Sequence, residues 1–214
     1  MQILLSLLIA FCLISCKVSV DTEIDISDLS SGKVDEIAGD LYVEVTTCND
    51  FEDSRKPSDS LLEAQQIVPS ILKGSQYIEC FQKQFNSYAR FKIPITIDRV
   101  KDGKLASENN IMLVSNESIL LGVQMPTKMK DGMKDVERRS FGVNKLDNIK
   151  FNIKITNRNK KPFNYVAHSV FLNGDPHVGS KQNNSGKPIE VTLSDVSVAQ
   201  ALDGRLSPVL FLAN

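Results

Sequence analysis

Residues 17–26, Lys-Val-Ser-Val-Asp-Thr-Glu-Ile-Asp-Ile, alternate without a break. Val18, Val20, Thr22, Ile24 and Ile26 fall on one side of an extended chain, and Lys17, Ser19, Asp21, Glu23 and Asp25 on the other. Successive side chains of a strand point to opposite faces, so this stretch predicts a strand with one buried face and one acidic face. The same period returns where Ile149, Phe151, Ile153 and Ile155 alternate with Lys and Asn. It returns again where Phe91, Ile93, Ile95 and Ile97 alternate with Lys92, Pro94, Thr96 and Asp98, and Pro94 there predicts an edge strand or a bulge. Further strands are predicted over 41–47, 111–114, 119–124, 163–172 and 189–193. Asn173-Gly174 signals a two-residue hairpin that sets Leu172 opposite Asp175 and Val170 opposite His177.

Helical spacing is rarer. Ser60-Leu61-Leu62-Glu63 has the capping-box spacing, with Leu61, Ala64, Val68 and Ile71 on one face and Pro69 predicting a kink or stop near Val68. A charged helix over 127–139 carries a narrow stripe of Met129, Met133 and Val136, read as a core contact. Residues 27–38 read as a turn or short helix, and 194–202 as a short helix. Together these predict an α+β fold, antiparallel and β-rich with two or three helices, in which the C-terminal part is sandwich-like. The chain divides into a signal peptide over 1–15, an α+β region over 16–142 and a β-rich region over 143–214.

The chain has 214 residues, 42% of them apolar and 24% charged, with a net charge of −1. That is enough apolar material for a core, and it excludes a disordered or collagen-like chain. Balanced charge leaves no basic footprint for nucleic acid. Two histidines leave little room for a His-rich metal centre or a His-based triad.

From Ile3 to Ile14 every residue but Ser6 is apolar. Twelve residues do not cross a hydrocarbon core of ~30 Å, but they suit the apolar part of a secretory signal. The run ends in Leu13-Ile14-Ser15-Cys16, which resembles the lipobox of bacterial lipoproteins. The resemblance implies cleavage before Cys16, a lipid on its sulfur and an acylated new amino terminus; Lys17 in the next position implies the outer membrane. The chain departs from that family in having Met1-Gln2 ahead of the apolar run, without a Lys or Arg. No Ser/Gly-rich tether follows Cys16. A domain folded from residue 17 would therefore sit against the bilayer, with the acidic face of 17–26 turned from anionic headgroups.

Cys12 is removed with the signal and Cys16 carries lipid, which leaves Cys48 and Cys80 in an oxidising compartment. They are expected to form a disulfide. Candidate chemistry elsewhere is thin. Residues 98–109 resemble a degenerate EF-type calcium loop with Asp98, Asp102 and Gly103 in place, but Val100 and Asn109 stand where ligands belong. His168, Asp175 and His177 surround the hairpin turn, with His168 and His177 as diagonal neighbours. Ser30-Ser31-Gly32-Lys33 matches Ser-x-x-Lys without its partner motifs. No cofactor, metal or enzymatic activity is expected.

The order of the lipobox, Lys-Val-x-Val, Ser-Asp-Leu and Asp-Ser-Arg-Lys-Pro-Ser-Asp-Ser-Leu-Leu-Glu-Ala looks like uncharacterised lipoproteins carried by bacteria and their tailed phages or prophages. The resemblance covers much of residues 13–170. It implies a membrane-anchored envelope lipoprotein, held in the bilayer through acylated Cys16, with a non-catalytic role in binding an envelope protein. The alternative is a periplasmic carrier of a lipid or other apolar ligand, which requires a continuous apolar cavity open toward the bilayer.

Overall fold

The computed structural model describes residues 17–30, 35–100, 110–139, 149–184 and 186–213. Its two most regular alternating stretches lie side by side. Strand β1 (Val18–Asp25) pairs in parallel with β7 (Ile149–Thr156), from Val18 opposite Ile149 to Asp25 opposite Thr156. On its other edge β1 takes β2 (Asp35–Val45), and β2 takes β4 (Asn86–Arg99). The order continues through β5 (Ile111–Ser115), β6 (Ile119–Gln124), β11 (Ser207–Leu212), β8 (Phe163–Leu172) and β10 (Ile189–Leu193), which returns to β7. Nine strands thus close a barrel. Two more lie outside the ring, β3 (Gln76–Lys83) against β4 and β9 (Asp175–Asn183) against β8.

The α+β expectation holds at the level of a β-rich chain with a few helices, but the sandwich-like C-terminal part is corrected to a barrel. Alternation tells each strand that one face is buried; it does not say whether that face meets a second sheet or the same sheet curled round. The closing strand is β8, which carries β11 along Tyr165–Ala167 and β10 along Val170–Leu172. Between these ladders the register shifts and Ser169 takes a positive φ of 57°. Such a bulge bends a strand and sharpens its twist. Strands from both sides of residue 142 share the ring.

The inward rows are apolar. Phe91, Phe151, Ile95, Ile97, Leu121 and Ile153 are fully buried within one hydrophobic cluster. The outward rows are charged. Asp40 bonds Arg90 and Lys92 at 2.8 Å each, Lys154 meets Glu23 at 2.9 Å, and Asn152 links Asp21 to Thr192. This polarity is the reverse of a membrane-spanning barrel, whose lipid-facing rows are apolar. Among the described residues no helix is long and apolar enough to cross a membrane.

Local departures from the expected elements have local causes. β2 begins at Asp35, so residues 35–38 belong to a strand and not to the expected turn or short helix over 27–38. Gly39 occupies a buried position where a Cβ would stand 2.5 Å from Ile95 Cδ1. The missing side chain interrupts the apolar period without interrupting the strand. Pro94 is tolerated inside β4 because that edge changes partner there: β3 ends its pairing at Lys92 and β5 begins at Ile95. Helix α2 (Asp59–Ile71) is capped by Ser58, whose Oγ accepts from the Leu61 amide, while Ser60 Oγ accepts from Thr46. Pro69 sits in its last turn, so the helix runs to Ile71 rather than stopping at Val68. Helix α3 (Thr127–Arg139) has the expected bounds; α1 (Ile26–Ser30) and α4 (Asp195–Leu202) are short.

The end of β1 is fastened by a buried carboxylate. Asp25, 4% exposed, accepts from the Ser27 hydroxyl at 2.6 Å and from the Ser27 amide, the Arg158 amide and the Thr156 hydroxyl. Burial alone would raise its pKa; these hydrogen bonds outweigh burial and hold it at about 2 against an ordinary 3.8. A lowered carboxyl stabilises the fold fully above its unfolded value and loses that contribution as pH falls through the folded one. Asp25→Asn is expected to cost about 2 kcal/mol near neutral pH. Melting curves of the two proteins should converge between about pH 4 and pH 2.

Candidate functional site: two recesses flanking Val18

Val18 lines a recess on each side of the barrel wall. The inner one lies where α2 and α3 cross the barrel mouth. α2 turns Leu61, Ala64 and Val68 inward, α3 contributes buried Met129 and half-buried Met133, and the wall supplies Val18, Leu41 and Val43. The remaining space is a mostly apolar cavity of about 140 Å³, edged by Ser60 and Glu63. The recess is open on one side, and a volume of this order accepts a molecule the size of benzene. The helices come this close because α3 has Gly132 facing α2: a Cβ there would stand 2.1 Å from Ile71 Cδ1. The methionine stripe is therefore a core contact for Met129, with Met133 at the cavity edge.

The outer recess is a groove of about 600 Å³ on the opposite face of the wall. Its floor is aromatic. Phe81 meets Tyr42 edge-on at a centroid distance of 6.1 Å and Tyr88 at 5.9 Å. Lys17, Lys83 and Lys150 stand around it, from the starts of β1 and β7 and the end of β3. Asp21 also lines it, but its carboxylate accepts from Ser19 and Asn152. The groove ends at the β3–β4 turn, where Gln84 has φ 57° and Phe85 is 98% exposed.

A family model described as a domain of unknown function, DUF7424, matches residues 18–214. The chain belongs to the DUF7424 family. The match starts on Val18, the first residue of β1 and the residue shared by both recesses. No curated protein and no solved structure matches the chain.

In this DUF7424 chain the residues singled out by sequence fall as follows. Cys48 and Cys80 form a disulfide that ties the loop after β2 to β3. Cys16 lies outside the described residues. Asp98 is buried within β4, opposite Val114 in β5, while Asp102 lies outside the described residues. The hairpin register is the expected one, Leu172 opposite Asp175 and Val170 opposite His177. His168, however, is exposed and sits in the bulge, which takes it out of the row of Val170 and Leu172. His177 is half-buried, and its Nε2 has no hydrogen-bond partner. Among the described residues no three His, Cys, Asp or Glu side chains converge as a metal site. The aromatic groove escaped sequence reasoning because Tyr42, Phe81 and Tyr88 come from three strands whose pairing alone brings them together.

Proposed function

We propose that this protein is a lipid-anchored envelope lipoprotein, acylated on Cys16 and held at the outer membrane, with a non-catalytic role in binding another envelope protein. One observation carries the reading: the fold begins where the lipobox ends. The Lys17 amide donates to the Glu44 carboxylate at 3.0 Å, and the Lys17 carbonyl accepts from the Glu44 amide at 2.9 Å. A lipid on Cys16 would hold the barrel against the bilayer with no slack chain between. Three acyl chains hold firmly where a single one binds only marginally. Protein binding is supported by β3 and β9, which pair on one edge only among the described residues. A free strand edge can take up an extended segment of a partner by β-augmentation.

Intact mass of the protein purified from membranes tests the anchor, with Cys16→Ala as its control. The expected result is a triacylated chain starting at Cys16, and a Cys16→Ala chain that leaves the membrane fraction. An unmodified wild-type chain in the soluble fraction would overturn the proposal. In-cell crosslinking of the acylated protein should then capture an envelope protein.

A second reading, binding of a small apolar ligand, is favoured by the cavity beneath α2 and α3 alone. Its size suits a benzene-sized group or a few methylenes, not a whole lipid. Native mass spectra of the same sample would show such a molecule as an added mass.

A further inference from the structure

We infer that the groove of Tyr42, Phe81 and Tyr88, with Lys17, Lys83, Lys150 and the Phe85 turn, is a face that docks the barrel onto anionic phospholipid headgroups. The inference rests on the lipid-anchor reading and adds an orientation to it. The first ground is position. Lys17 lines the groove and is the residue that follows the lipobox cysteine, so a lipid on Cys16 enters the bilayer beside this face.

The second ground is charge. The ammonium groups of Lys17, Lys83 and Lys150 make no salt bridge among the described residues, whereas Lys92, Arg90 and Lys154 on the same wall are all paired. The acidic row of β1 does not oppose this. Glu23 is neutralised by Lys154 and Asp25 is buried at the far end of the strand, so within the groove three lysines outnumber the one carboxylate that lines it, Asp21. The anchor end of the wall thus presents three lysines outside salt bridges, and each such lysine at an anionic surface is worth about fivefold in affinity.

The third ground is the aromatic content. Tyrosine suits the headgroup level, where one end of the ring is apolar and the other wet. Phe85 is a large apolar ring with almost no protein contact, held at the tip of a tight turn at the end of this groove. Unlike the exposed Phe51 and Val178, it stands beside the lysines of the anchor end, where it is free to enter the headgroup region.

The chain contains no tryptophan, so Phe85→Trp creates a single emitter at the tip. The full acylated chain carrying it would be reconstituted into phosphatidylglycerol-containing vesicles. The expected result is blue-shifted emission, quenched by brominated lipids. Val178→Trp on β9, four pairings from β1, is expected to stay solvent-like in the same vesicles. Lys83→Glu with Lys150→Glu should return the Phe85→Trp signal to that of water, or weaken binding of the unacylated chain more than tenfold. Flotation reports the anchor separately. A chain that floats with an unquenched indole overturns the docking face and leaves the anchor standing. A chain that floats only with anionic vesicles, its indole quenched, supports the face and overturns the anchor; one that never floats overturns both.

Discussion

Replacing Cys48 and Cys80 together by alanine is expected to lower the stability of the barrel by about 3–4 kcal/mol. The cross-link spans 32 residues, and closing a loop of that length removes this much chain entropy from the unfolded state. For a domain near 200 residues each kcal/mol moves the melting temperature by about 2–4 °C, so a fall of about 10 °C should be seen by calorimetry. The loss should be uneven. Among the described residues β3 pairs with β4 alone, and the disulfide ties it to the loop that follows β2. Without that tie, hydrogen exchange should rise first in Gln76–Lys83 while β1 and β7 stay protected. β3 also carries Phe81 and Lys83, so the reduced protein should lose the aromatic groove before it loses the barrel. A uniform rise in exchange, or a change in melting temperature below about 3 °C, would mean that the loop and β3 hold their places without the bond.

The elements legible in the sequence were those with two different faces. β1, β4 and β7 separate apolar from polar at every second residue, and α3 matched its expected bounds because its stripe follows the helical period. β9 was legible only at its start, where the hairpin turn placed Asp175 and His177; beyond them it has no apolar row, since apart from Asn183 it buries no side chain, and Gly179–Gln182 pair with β8 through the backbone. The disulfide was legible because the lipobox reading sets Cys12 and Cys16 aside and leaves one pair. Closure of the ring was not, since it depends on one strand changing partner across a bulge at His168-Ser169, and neither residue signals a bend. The groove was out of reach for a related reason. Its residues lie far apart in sequence and become neighbours only through ladders whose order the sequence does not state.

Phe151→Ala is expected to cost about 3–5 kcal/mol, and the size of the loss bears on what the barrel is for. Phe151 points inward from β7 beside Val20, fully buried, in the same cluster as Phe91, Ile153 and Leu121. A large-to-small change in a packed interior loses the transfer energy of the ring and adds the penalty of the hole it leaves. In a barrel built to hold a lipid, the same ring would line open space, lose contacts on one side only and leave no new void. Its removal would then cost less than about 2 kcal/mol, close to the transfer term alone. A denaturant titration that gives the larger value, with the slope unchanged, would place the barrel among packed scaffolds rather than carriers. It would confine any apolar ligand to the small cavity under α2 and α3. The smaller value would reverse that conclusion and make the barrel interior the carrier's chamber.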